Sequence, residues 1–246
     1  MKIILDKPAD AATNMLRDRR LFEDFEAGKI PPTFRIYSWS QPAVTYGYRF
    51  NRGQTPLAHS GEKNVENYIK DVCPRHFRWR SLALRPTGGG IVFHQPGEIT
   101  FAVALPRRSP HYADNLLESY FFTSNIILKF LKSLGINAEI KVKKFISRSF
   151  PPRLRRDKLQ RESRALNLFS VLDSHFRGND RNNLKFSHQL CFAEAAPHEI
   201  ILDGKKIVGI AQCRFRNSFC QQGTIQGIKL TQTLISEYKL FLEKNL

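Results

Sequence analysis

The chain has 246 residues, 41% of them hydrophobic, and a formal net charge of +17. That length sustains one medium domain with a proper core, and the composition is that of a globular domain rather than a disordered or membrane-embedded chain. Such a charge first suggests nucleic acid. However, between Lys141 and Lys185 there are 13 Lys and Arg against 4 Asp and Glu, about half of the excess. No helix-turn-helix pattern, zinc-finger spacing or aromatic–basic RNA motif accompanies it, so a nucleic-acid partner is not expected.

Met1–Leu5 is apolar, but Asp6, Lys7 and Asp10 follow at once, which is no signal peptide. No apolar run approaches the roughly 20 residues that span a bilayer. A cytoplasmic location without membrane contact is the expectation. Cys73, Cys191, Cys213 and Cys220 form no CxxC pair and lack the clustering of a zinc site, so free thiols and no metal are expected.

Taken in chain order, Ala9–Gly28 reads as an amphipathic helix with Met15, Leu16, Leu21 and Phe22 as its apolar face and Gly28 as its stop. Thr33–Trp39 and Ala43–Tyr46 read as strands, Asn51–Lys63 as loop and Asn67–Val72 as a weak helix. Ser81–Arg85, Gly90–His94 and Glu98–Leu105 read as strands, the last two separated by the turn Gln95-Pro96-Gly97. Tyr112–Leu134 has the strongest helical pattern, ending at Gly135, and Asn137–Val142 follows as a strand. Ser147–Phe186 keeps no period and reads as an inserted basic excursion, disordered or loosely packed, within a single domain over residues 1–246. Strands return at His198–Leu202, Lys206–Arg216 and Phe219–Gln226, the first two joined by the hairpin signal Asp203-Gly204. Thr231–Asn245 closes as a helix. Helices and antiparallel-looking strands without βαβ alternation make the fold class α+β, with a mixed, largely antiparallel sheet flanked by helices.

Two segments carry chemistry. In Arg85-Pro86-Thr87-Gly88-Gly89-Gly90-Ile91-Val92-Phe93-His94, consecutive glycines let backbone N–H groups approach a ligand. Arg85 adds charge at the rim, and His94 sits on the returning strand. A tight turn with His94 as a hydrogen-bonded core residue is the plainer reading. No Lys-Ser/Thr follows, so this is not a phosphate-binding P-loop. In Asp203–Gln212 a lysine opens an apolar strand. Strict alternation puts Lys206, Val208, Ile210 and Gln212 on one face and Lys205, Ile207, Gly209 and Ala211 on the other, where the small residues leave room for a ligand. A solvated hairpin lysine is the alternative.

Together, Arg85–His94 with Gly97-Glu98-Ile99-Thr100-Phe101, and Gly204–Gln212 with Gln221-Gln222-Gly223-Thr224-Ile225, resemble the two signatures of the lipoate–protein ligase and octanoyltransferase family. Asn14-Met15, Trp39-Ser40-Gln41-Pro42 and Gly47-Tyr48 resemble its amino-terminal features. The resemblance covers nearly all of the chain outside Ser147–Phe186. It implies a fold similar to the catalytic domain of class II synthetases and biotin–protein ligase. It implies an acyl tunnel lined by Thr87, Gly88, Gly89 and Gly90, with Arg85, His94, Gly209 and Ala211 also at the substrate. It makes Lys206 the lysine that contacts the acyl carbonyl. The chain departs from the family at Pro86, where many members carry a second Arg, at Gly90, where many have Arg, and at Ile210, usually a small polar residue.

The family holds two chemistries. Ligases use ATP and Mg to make an acyl-adenylate, whereas transferases take octanoyl from acyl carrier protein through a cysteine thioester. Cys191-Phe192, thirteen residues before Gly204, resembles the nucleophile position of the octanoyltransferases that are similar to ligases, and Pro197-His198-Glu199-Ile200 fits their pattern. The expectation is an octanoyltransferase without a cofactor, with Cys191 and Lys206 catalytic. Its donor is acyl carrier protein. Its acceptors are lipoyl-domain proteins such as glycine cleavage H protein or the E2 subunits of 2-oxoacid dehydrogenases. An ATP-dependent lipoate–protein ligase is the second reading, and a non-catalytic basic binding module is the third. The basic charge suits acidic carrier and lipoyl domains, with steering that weakens in salt.

Overall fold

The computed structural model describes residues 1–48, 65–74, 77–141, 192, 195–228 and 232–246. Asn51–Lys63, Ser147–Phe186 and Cys191 lie outside the described residues. Among the described residues, ten strands form two sheets. The larger has the order β1-β2-β6-β10-β9-β8-β7, and the smaller β4-β3-β5. The strands are β1 (Lys2–Leu5), β2 (Thr33–Tyr37), β3 (Ala43–Gly47), β4 (Ser81–Arg85), β5 (Ile91–His94), β6 (Ile99–Pro106), β7 (Glu139–Ile140), β8 (Ile200–Leu202), β9 (Lys205–Arg214) and β10 (Ser218–Ile225). β1 runs parallel to β2 and β3 parallel to β4; the other pairs are antiparallel. The helices are α1 (Ala11–Glu26), α2 (Val65–Val72), α3 (Leu116–Ser119), α4 (Phe121–Ser133) and α5 (Gln232–Asn245). This is the expected mixed α+β class. No described helix is long and apolar enough to cross a membrane.

The larger sheet is buried on both faces. On one face Phe34, Ile36, Ile99, Phe101, Val103 and Leu105 pack against Ile127, Phe130 and Leu131 of α4 and Ile235, Tyr238 and Leu242 of α5. On the other face the alternate residues Tyr37, Ala102 and Ala104 meet α1 through Ala11, Met15, Leu21 and Phe22. Alanines at positions 102 and 104 let the helix axis approach the sheet closely. The turn at Gln95–Glu98, with Gly97 at φ +85°, carries the chain from the smaller sheet to the larger.

Several boundaries differ from the sequence expectation for local reasons. β1 was read only as a short apolar start; it becomes a strand because β2 offers an edge. The long helix expected over Tyr112–Leu134 begins later. Asn115 caps Leu117 N–H at 3.0 Å, and the residues before it are held by Arg214, which donates to the carbonyls of Ala113 and Asp114. Asp203 and Gly204, at φ +49° and +76°, make the expected hairpin turn between β8 and β9.

The buried stripe of α1 is Ala11, Asn14, Met15, Asp18, Leu21 and Phe22, while Leu16, expected on that stripe, is 48% exposed. Two polar residues therefore lie on the core side. Asp18 is fully buried and receives hydrogen bonds from Arg35, from the Tyr37 hydroxyl at 2.7 Å and from Gln222. Arg35 also donates to Asp6 at 2.6 Å and to Asn14 Oδ1 at 3.0 Å, and its guanidinium lies 3.9 Å above the Tyr37 ring. Burial pushes the Asp18 carboxyl up, while Arg35 and the two neutral donors pull it back. Removing one partner of such a pair leaves the other charge buried and under-compensated. We expect Asp18→Ala to lower the unfolding free energy by about 3–5 kcal/mol in urea titrations; a loss below about 1 kcal/mol would mean that this pair does not hold the fold.

Candidate active site

A cavity of about 180 Å³ lies between the two sheets. Its inner end is formed by Met15, Tyr37, Trp39 and Gln222, so it sits directly on the Asp18–Arg35 cluster. Its walls come from Thr45, Arg85, Gly89, Val92 and His94 on the side of the smaller sheet. On the side of the larger sheet they come from Thr100, Gly209, Ile210, Ala211, Gly223 and Thr224. Phe192, Ala196, Glu199 and Lys206 complete the lining.

The glycine loop reaches this lining through Gly89, at φ +91°. The loop closes against Gly47 at the end of β3. A Cβ placed on Gly47 would stand 2.2 Å from the Gly89 carbonyl oxygen, so this contact requires glycine. Arg85 does not sit at an exposed rim. It is 6% exposed, and its guanidinium donates to Thr45 O at 3.0 Å, Thr45 Oγ1 at 2.8 Å, Gly88 O at 3.1 Å and Gly90 O at 2.7 Å. It holds the loop's shape by satisfying its carbonyls. Thr87 is fully buried and donates to Gln222 Oε1 at 2.6 Å, which ties the loop to β10 and, through Gln222, to Asp18.

His94 is 3% exposed and stacks on Trp39 with ring centroids 4.0 Å apart. Donors and acceptors balance in one arrangement. The Thr45 hydroxyl accepts from Arg85 and donates to His94 Nε2 at 2.8 Å; His94 Nδ1–H then faces Glu98 Oε2 at 3.4 Å. Burial lowers the pKa of the ring, against the pull of Glu98, so it is the neutral form that is held here.

β9 departs from strict alternation. Val208 is opposite Ile200, yet Lys206 is opposite Ile201, so Ile207 is an extra residue, a β-bulge. Ile207 and Val208 both enter the core beneath α4 and α5. The bulge turns Lys206 to the same face as Gly209 and Ala211, where alternation alone had separated them. A Cβ on Gly209 would meet Lys206 Cε and the Phe192 ring at 3.2 Å, so the missing side chain makes room for both. Lys206 is only 6% exposed at its side chain. Its Nζ lies 2.7 Å from Glu199 Oε2 and 5.2 Å from the centroid of Phe192.

Of the residues singled out in the sequence, the cavity gathers Arg85, Gly89, His94, Lys206, Gly209 and Ala211. Thr87, Gly88 and Gly90 serve the loop's framework behind it. Cys191 lies outside the described residues, but Phe192, the next residue, lines the cavity. In the sequence Glu199 and Gln222 stood out only as parts of patterns, and Thr45 and Tyr37 carried no signal of a site. An acidic residue six positions before the start of β9 gives no sequence signal of its own; a hairpin has to bring it to Lys206.

His94 makes the site pH-sensitive in a defined direction. The unfolded ring takes up a proton near its ordinary pKa of 6.5, and the folded ring resists it, so stability falls as pH drops through that region. From pH 7.5 to 5.5 the protein should lose roughly 1 kcal/mol more unfolding free energy than His94→Gln does. Parallel curves for the two in denaturant titrations would rule this out.

The family model described as the lipoyl protein ligase A/B catalytic domain matches residues 10–227. The octanoyltransferases LipM of Oceanobacillus iheyensis and Halalkalibacterium halodurans are each 28% identical, over 218 and 216 residues, covering 89% and 88% of this chain. The chain spans 60% and 62% of those relatives' own lengths. Among solved structures, a lipoate-protein ligase A bound with ATP superposes with a TM-score of 0.56 at 15% identity, covering 99% of this chain and 84% of that one. A bipartite lipoate protein ligase from Thermoplasma acidophilum superposes with a TM-score of 0.50 at 18% identity, covering 91% and 60%. These structures share the fold, and the family model extends from α1 through β10 and both signature segments. The chain belongs to the lipoyl protein ligase A/B catalytic domain family.

Proposed function

We propose that the chain is an octanoyltransferase that moves an octanoyl group from acyl carrier protein to a lysine of a lipoyl-domain protein, through a thioester on Cys191. The carrying observation is Phe192. The residue that follows Cys191 packs on Gly209 and beside Lys206 at the cavity wall. Phe192 is the immediate sequence neighbour of Cys191, and that adjacency supports the reading. Relatives named as octanoyltransferases support the reading.

In this reading a Cys191 thiolate attacks the carrier thioester, an exchange near thermoneutrality that needs no ATP. The Lys206 ammonium stabilises the developing oxyanion. The acyl chain lies in the cavity over Gly89, Gly209 and Ala211, with Met15 and Trp39 at its inner end. The charged groups of the lining also favour a neutral acyl group over a triphosphate. Arg85 is engaged by four loop and strand oxygens, and Lys206 faces Glu199. The reaction is placed in the cytoplasm. Acceptors are the H protein of glycine cleavage or dehydrogenase E2 domains; an E2 lipoyl domain is the named companion of the Thermoplasma ligase. The basic surface steers both acidic partners, so encounter rates should fall with salt.

Intact-mass measurement after incubation with octanoyl-carrier protein, without ATP, should show one octanoyl adduct that is absent in Cys191→Ala. Lipoate transfer that requires ATP and proceeds in Cys191→Ala without an adduct would instead establish the ligase reading.

A further inference from the structure

The amide-forming half of this reaction needs a base. An acceptor lysine arrives as an ammonium ion and must lose a proton before its nitrogen can attack. Lys206, facing a carboxylate at 2.7 Å, presents only donors. His94 has both ring nitrogens engaged, by Thr45 and Glu98. Asp18 is sealed beneath the cavity by Tyr37 and Gln222. Among the described residues that line the cavity, Glu199 carries the only carboxylate.

Resting on the transferase reading above, we propose that Glu199 is the catalytic base for the incoming amine, while Lys206 stays an ammonium ion and holds the acyl carbonyl oxygen. Two independent features of the chain point the Glu199 side chain at the cavity. The first is the residue before it. His198 has φ +70°, an uncommon backbone conformation for a non-glycine residue. It is kept there by its N–H to Lys141 O at 3.0 Å, by Ser124 Oγ donating to its carbonyl at 2.7 Å, and by the edge of Phe121. This twist sends Glu199 toward Lys206 and Ile200 into the core. The second is the carboxylate's own anchoring. Its Oε2 accepts from Ala196 N–H at 2.6 Å as well as from Lys206. A carboxylate has about four acceptor positions, so these contacts and the Ile210 backbone leave room for a substrate N–H.

Burial raises the Glu199 carboxyl's proton affinity, against Lys206 and the two backbone groups, and a base closer to the working pH is a better one. The charged and titratable groups around it are Lys206 on β9, Lys141 just after β7, whose Nζ is held by Ala195 O, and its neighbour His198. The step balances as follows. The acceptor ammonium passes one proton to Glu199. Its nitrogen forms the C–N bond, and the oxyanion rests on Lys206. The C–S bond breaks, and the second nitrogen proton leaves with the thiolate to regenerate the thiol. Glu199 then gives its proton to solvent.

The test separates the two halves of the reaction. Wild-type and Glu199→Gln chains are charged with octanoyl-carrier protein, and each acyl-enzyme is then chased either with a lipoyl-domain protein or with hydroxylamine, an amine already unprotonated near neutral pH. Glu199→Gln should acylate within about threefold of wild type, lose on the order of 10²-fold in transfer to lysine, and discharge to hydroxylamine within a few-fold of wild type. Lysine transfer that is not slowed, or an equal loss in acylation, lysine transfer and hydroxylamine discharge, overturns Glu199 as the base, the second result making it a structural residue. A wild-type chain that forms no acyl-enzyme overturns the transferase reading itself.

Discussion

The rest of the molecule hangs on a fully buried acidic side chain. Asp18 lies in the middle of α1 on the face turned to the sheet, and it can remain there only because Arg35 reaches it from β2 while Tyr37 and Gln222 supply hydroxyl and amide donors. Arg35 and Tyr37 come from β2 and Gln222 from β10, far along the chain. The cluster therefore fixes how α1 lies across β2, β6 and β10 more specifically than the alanines and leucines around it. Gln222 passes the constraint upward. Its amide N–H group donates to Asp18 and its carbonyl accepts from Thr87, so the root of the glycine loop is tied to the same charge. A loop that carries three consecutive glycines pays a large entropy cost to be ordered. Anchoring it at Thr87, threading its carbonyls onto Arg85 and closing it on Gly47 offsets that cost with fixed hydrogen bonds.

What was legible in the sequence was local. The helix-stopping glycines Gly28 and Gly135, the Asp203-Gly204 turn and the Gln95-Pro96-Gly97 turn before β6 are decided by neighbours a few residues away, and each stands where the pattern indicated. Residues of both signature segments line one cavity. What was not legible depends on partners far away in the chain. Asp18 and Asn14 look like solvent positions until Arg35 is placed against them. β1 has no strand signal until β2 presents an edge. Arg85 beside three glycines reads as a ligand-facing charge, because nothing local says that the loop's own carbonyls and Thr45 will take its donors.

The cavity divides its positive charges between two jobs. Arg85 is spent on architecture, and through Thr45 it also sets the donor order that leaves His94 neutral against Trp39. Lys206 is on the opposite wall, with its carboxylate partner beside it. A lining built this way engages Arg85 with backbone and hydroxyl oxygens and confines the Lys206–Glu199 pair to one corner.

That corner exists because of a single extra residue. Strand geometry with strict period two would turn Lys206 toward the helices on the far side of the sheet, among Ile127, Phe130 and Leu131, where an ammonium ion has no partner. The bulge at Ile207 reverses the direction of everything before it, so Lys206 and Gly209 share a face and the lysine can lie across the space that the glycine leaves empty. The same register shift fixes which carboxylate it meets, because β8 is brought alongside with Glu199 just ahead of its first residue. The lysine's position thus belongs to the strand's irregularity as much as to the residue itself. An isolated reading of Lys206 as a solvated hairpin residue fails for that reason.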